Sequence, residues 1–161
     1  MEDIKIKKMI SLKDVENIQK EWGDNLVKLG SLKGNFESCE NEAEKMINRL
    51  YGYKNGTVLF KPTKAKDNQF RLTFEGAKSY FIGENSNFFE DKGFALQPWI
   101  SVRFENASVI LNDNNALAMG NYFFTQTNGS VVKVEYTFGY FLNENNNLKI
   151  NLHHSSLPFN P

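Results

Sequence analysis

An α+β fold, with helices leading into a long curved antiparallel sheet, is what this chain of 161 residues predicts. Three observations predict it. The first fifty or so residues carry apolar side chains at spacings of three and four, the period of an amphipathic helix. From about residue 98 onward, four long stretches rich in Val, Ile, Tyr, Phe and Thr replace that pattern. Short breaks rich in Asn and Gly separate those stretches, and such breaks make hairpins, whereas a parallel sheet needs long crossovers. A chain of this length suits one domain with a proper core, so a single cone-shaped domain over 1–161 is expected.

The elements follow in order. Ser11 followed by Asp14 is a form of the capping box, and it opens a helix. Leu12, Val15, Ile18, Trp22, Leu26 and Leu29 then form one apolar stripe, with Gly30 and Gly34 supplying the stop. A second helix from about Glu37 to Leu50 buries Ala43, Met46, Ile47 and Leu50 and turns its acidic residues to water. Val58, Leu59 and Phe60 make a short strand that ends at Pro62. Thr73 caps a short helix, Phe74 to Ile82, closed by Gly83.

The four sheet strands fall at about 98–111, 115–126, 131–142 and 148–156. A two-residue turn at Asn128-Gly129 would set Leu117 opposite Tyr140, Met119 opposite Phe138 and Tyr122 opposite Glu135. Both faces of that hairpin then carry apolar residues. Helices on one side and a second copy of the chain on the other would cover them, so a homodimer is expected. Arg103 and Glu105 share one side of a central strand and read as a surface or interface pair.

Composition excludes several partners. Nineteen basic residues balance nineteen acidic ones, which gives no footprint for nucleic acid. No run approaches the roughly 20 apolar residues of a membrane span, so no membrane partner is expected. The opening MEDIKIKKMISLKDVE alternates lysines and has no apolar run of signal length. Cys39 is the single cysteine, reads as a small apolar helix residue, and makes a reducing, cytoplasmic setting the natural expectation. The sites at Asn55, Asn106 and Asn128 that match N-x-S/T are then turns, not glycosylation sites.

The only two histidines, His153 and His154, stand side by side near the end in NLHHSSLPFN. Adjacent strand residues point to opposite faces, so the two cannot hold one metal from regular geometry. A catalytic zinc usually takes three protein ligands, and the chain offers no spacing that supplies them. No metal and no cofactor are expected. A Ser-His-Asp hydrolase lacks its G-x-S-x-G elbow, and glycine loops that cradle phosphate are absent. On residues alone, His153 reads more readily as a satisfied strand histidine than as a functional one.

The runs ALAMGNYFF (116–124), VKVEYTFGYF (132–141) and LKINLHHSSLPF (148–159) resemble the carboxyl-terminal half of the iota-class carbonic anhydrases. GTVLFKPTKA (56–65) and AKSYFIGE (77–84) resemble the same family, so the likeness spans roughly residues 20 to 160. That family belongs to the cystatin-like, SnoaL-like and NTF2-like superfamily, which includes the association domain of calmodulin-dependent kinase. The resemblance implies reversible hydration of carbon dioxide to bicarbonate, and the metal-free members are the more similar. It implies a catalytic trio: Thr63 in F-K-P-T, Tyr80 in K-S-Y-F and Ser155 in H-H-S-S. His153, His154 and Ser156 would support it. His153 would orient Ser155 or pass protons with a pKa suited to neutral pH. Which pair faces the pocket, His153 with Ser155 or His154 with Ser156, depends on the break at Asn143–Asn147. Two further readings stand beside the hydratase. One is a non-catalytic ligand-binding or oligomerisation module of the same fold. The other is a small isomerase or cyclase with Glu135 or His153 as base.

Overall fold

Ser11 and Asp14 cap the first helix reciprocally. The Asp14 N–H donates to Ser11 Oγ at 3.1 Å and the Ser11 N–H to Asp14 Oδ2 at 2.9 Å. The computed structural model describes residues 8–161, so the first seven residues of the lysine-rich opening lie outside the description. Helix α1 (Leu12–Ser31) buries Val15, Ile18, Trp22, Leu26 and Leu29. Leu12 departs from the expected stripe: as the first helical residue it lies beyond the packed face and is 47% exposed. Helix α2 (Phe36–Leu50) starts one residue earlier than expected, because the Asn35 side chain accepts from the Ser38 N–H. Helix α3 (Phe74–Ile82) is capped by Thr73 and closed by Gly83, as expected.

The strands are β1 (Leu59–Lys61), β2 (Trp99–Leu111), β3 (Asn115–Gln126), β4 (Val131–Leu142) and β5 (Leu148–Ser156). They form one sheet in the order β1-β5-β4-β3-β2. Strands β2 to β5 are the expected antiparallel meander. Strand β1 is different, since it runs parallel to β5 and sets Phe60 beside His153. Helix α1 packs chiefly across β2, while α2 packs on α3 and β5. One continuous core of buried side chains joins the helices to the sheet.

The β3–β4 hairpin corrects the expected register by one residue. The Gln126 N–H donates to the Ser130 carbonyl and the Gly129 N–H to the Gln126 carbonyl, which closes a three-residue loop, not a two-residue one. Gly129 adopts φ +85°, the left-handed position such a loop requires. Ala116 therefore faces Tyr140, Ala118 faces Phe138 and Tyr122 faces Val134. Ala116, Ala118, Tyr122 and Phe124 all point into the core together with Val134, Tyr136, Phe138 and Tyr140. The two faces are thus distinct: the helices close the inner one, and the outer one holds Leu117 and Met119, 44% and 59% exposed.

A second irregularity decides the function of β5. Leu148 and Ile150 face inward, and strict alternation from them would turn Leu152, His154 and Ser156 inward as well. The β4–β5 pairing instead steps from Tyr140↔Ile150 to Gly139↔Leu152, leaving Asn151 as a bulge. That one extra residue flips the alternation. His153 and Ser155 point inward, 2% and 1% exposed. The bulge, rather than the Asn143–Asn147 turn, makes the choice.

Candidate active site

The inward faces of β3 and β5 meet Trp22 of α1, the C-terminal end of α3 and the turn after β1 around a small cavity. Its volume is about 10 Å³. That is room for roughly one water-sized molecule. Thr63, Tyr80, Tyr122, His153 and Ser155 supply the polar groups, and Trp22, Phe60, Phe81 and Phe94 supply aromatic walls. None of the lining residues is Lys, Arg, Asp or Glu. A larger groove of about 740 Å³ lies next to it, and Tyr80 and Phe94 line both. The hydroxyl groups converge in the small cavity, so the groove is an approach to the site.

Each side chain is held by its element. His153 lies beside Phe60 of β1 and Phe138 of β4, and its ring stacks on theirs at centroid distances of 4.6 and 4.0 Å. Its Nδ1 lies 2.8 Å from the Tyr51 hydroxyl, which accepts from the Trp22 indole N–H at 2.9 Å. Its Nε2 lies 3.0 Å from Ser155 Oγ and 3.1 Å from the Tyr122 hydroxyl. Ser155 and Tyr122 also hydrogen-bond each other. Tyr80 stacks on Phe94 at 5.4 Å, and its hydroxyl accepts from the Lys64 N–H at 3.3 Å. Thr63 lines the cavity together with Tyr80 and Tyr122.

A buried ion pair fixes α3 and therefore Tyr80. The fully buried Arg71 guanidinium makes bidentate contacts of 2.6 and 2.7 Å to Asp91 and donates to the Gly76 carbonyl. Ser79, next to Tyr80, donates to the same Asp91 carboxylate at 2.6 Å. With all its polar atoms engaged, the pair is a structural clamp.

Burial sets the protonation states. It pushes the His153 pKa well below the ordinary histidine value, with the neighbouring His154 adding to the shift. His153 is therefore neutral in the folded protein, which corrects the expectation of a pKa tuned to neutral pH. Burial likewise drives Tyr51, Tyr80 and Tyr122 above the ordinary phenol value, so all three keep their protons. The site is a ring of neutral hydroxyl and imidazole groups in an aromatic shell.

The structure brings Thr63, Tyr80, Ser155 and His153 to one cavity. It does not bring His154 or Ser156. His154 points to the outer face, and Ser156 donates to Glu135 there at 2.8 Å. Glu135 lies on that outer face too, so it is no base within the cavity. Arg103 and Glu105 form an exposed pair, 2.7 Å apart. Sequence reasoning missed Tyr122 and Tyr51. The true hairpin register would have exposed Tyr122, by setting it on the inward face with Tyr136 and Ser155. Nothing local marks Tyr51, which reaches His153 only through tertiary packing.

Comparison with known proteins yields consistent matches. A family model described as metal-independent carbonic anhydrase matches residues 13–157. A metal-independent carbonic anhydrase from Nostoc sp. is 40% identical over 158 residues, which cover 96% of this chain and 77% of that protein. The crystal structure of a cyanobacterial iota-carbonic anhydrase complexed with bicarbonate superposes with a TM-score of 0.93 at 38% identity, covering 97% of both chains. A Xanthomonas campestris protein assigned as a calcium/calmodulin-dependent kinase II association domain shares the fold, with a TM-score of 0.60 at 23% identity over 93% of this chain and 94% of that one.

Proposed function

This chain belongs to the metal-independent carbonic anhydrase family, and from that premise we propose that it interconverts carbon dioxide and bicarbonate where the small cavity between Thr63, Tyr80 and Ser155 meets the adjoining groove. The observation that carries the assignment of the site is the convergence of these hydroxyls, with Tyr122, on one small aromatic-walled space. Carbon dioxide is uncharged and needs no ionic contact, so the walls of Trp22, Phe60, Phe81 and Phe94 suit it. Water attacks the carbon, one C=O electron pair moves onto oxygen, and one water proton departs to solvent. Negative charge builds on the carbonate oxygens, where hydroxyl donors already stand in place.

The roles divide by position. Tyr80 and Ser155 act as donors to the developing oxyanion, and Thr63 orients the attacking water between the two phenols. Tyr122, tied to Ser155 and His153, completes the donor set. Carbon dioxide, bicarbonate and the proton exchange with solvent past Tyr80 and Phe94 into the adjoining groove. The chemistry uses no metal ligand and no cofactor.

The assembly and setting are part of the same proposal. One buried core over the described residues supports a single domain. Ile110, Leu117 and Met119, between 44% and 59% exposed, favour a second copy on the outer face as a homodimer. Light scattering of Leu117→Asp checks this: it becomes monomeric, and an unchanged mass sinks the dimer. Among the described residues no helix is long and apolar enough to cross a membrane. A cytoplasmic setting suits the free, buried Cys39.

Stopped-flow carbon dioxide hydration, with and without a strong chelator, tests the proposal on wild type and Ser155→Ala. Activity survives chelation and drops about 10²–10³-fold in the variant. Loss of activity with chelator removes the metal-free mechanism. No activity in the wild type leaves a ligand-binding or oligomerisation module.

A further inference from the structure

We propose that Tyr51, held by Trp22, fixes His153 as the neutral tautomer protonated on Nε2, so that the imidazole donates into the Ser155–Tyr122 pair and leaves one hydroxyl proton facing the cavity. Tyr51 is then a positioning residue for a cavity it does not line, and Trp22 both walls that cavity and holds Tyr51. The proposal rests on counting donors and acceptors.

The Tyr51 oxygen has two partners among the described residues. The Trp22 indole N–H, 2.9 Å away, can only donate. The Tyr51 oxygen accepts that proton, so its own proton has one acceptor left, His153 Nδ1 at 2.8 Å. An Nδ1–H tautomer would instead make the Tyr51 oxygen accept twice. Its own proton would then have no acceptor in a place that is 2% exposed, which buried polar groups rarely tolerate. Nδ1 is therefore the acceptor, and in a neutral ring the proton sits on Nε2. Burial likewise disfavours the imidazolium, with a proton on both nitrogens.

The consequence for the cavity follows from the triangle of His153 Nε2, Ser155 Oγ and the Tyr122 hydroxyl. When Nε2 carries a proton, it donates to the oxygens. One hydroxyl then donates to the other, and the second hydroxyl proton is left for the cavity. When Nε2 is bare, it consumes one hydroxyl proton, and the other is spent between the oxygens. The cavity then meets only lone pairs. An oxyanion needs a donor, so only the Nε2–H tautomer gives the triangle its function. His153 is accordingly a donor and not the base of the reaction. This last consequence depends on the function proposed above, whereas the tautomer does not.

Long-range proton–nitrogen correlation spectra of the full-length ¹⁵N-labelled protein test the tautomer directly. Comparison with His153→Gln assigns the ring. The expected result between about pH 6 and 8 is a bare Nδ1 and a protonated Nε2, with no titration across that range. A protonated Nδ1 overturns the proposal. Tyr51→Phe gives the second readout. It loses the single tautomer, and kcat falls roughly tenfold or more while KM changes little, because apolar walls hold the substrate. A Tyr51→Phe protein that keeps a single Nε2–H tautomer overturns the role of Tyr51, whatever its rate. Should that variant not fold, the wild-type spectrum alone decides. Absence of carbon dioxide hydration would remove the proposed function while leaving the tautomer measurement intact.

Discussion

Gly139→Ala adds one methyl group on the outer face, away from the cavity, yet it should disable the site. Cβ atoms directly opposite across antiparallel strands normally stand about 4.5–5.5 Å apart. At Gly139 an added Cβ would lie 2.8 Å from Leu152 Cβ and 3.0 Å from Asn151 Oδ1. The Asn151 side chain can swing away, but Leu152 Cβ moves only with its backbone. Strand β5 must therefore shift by roughly 1–2 Å beside Leu152 to regain ordinary Cβ spacing. His153 is the next residue, and its ring is clamped between neighbours on β1 and β4.

Overpacking of this kind costs about 1–3 kcal/mol. For a chain of this size each kcal/mol lowers Tm by about 2–4 °C. The kinetic effect is the larger one, since a misplacement of about 1 Å in a reacting constellation costs on the order of 10²-fold in rate. Gly129→Ala is the control. It strains a residue at φ +85°, where an added Cβ meets nothing within 4 Å, in a hairpin loop remote from the cavity. It should lose about 1 kcal/mol and keep its turnover. Thermal melts and stopped-flow hydration of the two variants give the comparison. Equal turnover in Gly139→Ala and Gly129→Ala would refute the claim that the bulge positions His153 and Ser155.

Two other outcomes follow from buried groups. Arg71→Met leaves the Asp91 carboxylate buried and unpaired, which costs about 3–5 kcal/mol, read as a fall in the chemical-denaturation midpoint; a loss under 1 kcal/mol would show that water reaches Asp91 freely. His153 supplies a pH signature in stability. The unfolded chain takes up a proton below the ordinary histidine value of 6.5, whereas the folded protein, with its lowered pKa, does not. Stability is therefore flat above that value and falls as pH drops below it, by about 1.4 kcal/mol per unit for one proton. Asp14, Glu42 and Glu90, held low chiefly by the Ser11 N–H, Lys28 and the Lys66 N–H, add their losses only further down, in the carboxylate range. Denaturation curves of wild type and His153→Gln between about pH 5 and 7 check the sign, and a slope shared by both proteins would mean that His153 is not buried neutral.

Much of this fold is legible because it is local. A stripe at 3.6-residue period, a Ser-x-x-Asp cap and a Thr73 cap with Gly83 after it each act within a few residues, and each appears where the sequence sets it. The strand boundaries are legible for the same reason, since Asn-rich loops interrupt the β-rich runs. What fails is single-residue register. The loop Thr127–Gly129 holds three residues, not two, and the difference turns on Gly129 taking a left-handed conformation. The Asn151 bulge is equally silent, because the close approach that accommodates it is to Gly139 on another strand. The parallel pairing of β1 with β5 is a long-range contact that no local pattern encodes. Thr63, Tyr80 and Ser155 came from resemblance to a family, not from periodicity. Tyr51 and Tyr122 carry no mark of their own and become visible only as partners of His153.

The neutrality of the site follows from its substrate. A pocket dry enough to hold carbon dioxide must be apolar, and an ion buried there without a partner costs several kcal/mol even after relaxation. A fixed cation would also bind bicarbonate more tightly than the transition state requires, and only differential binding raises turnover. Neutral hydroxyls avoid both problems. They tolerate burial when they bond one another, as Ser155 and Tyr122 do with His153. They also strengthen as donors when charge develops on the carbonate oxygens. The burial that raises the three phenols and lowers His153 therefore keeps protons on the groups proposed to donate them. Such a site works only if each hydroxyl proton has one permitted direction. With the tautomer proposed above, the buried Trp22–Tyr51–His153 chain behind Ser155 and Tyr122 meets that requirement.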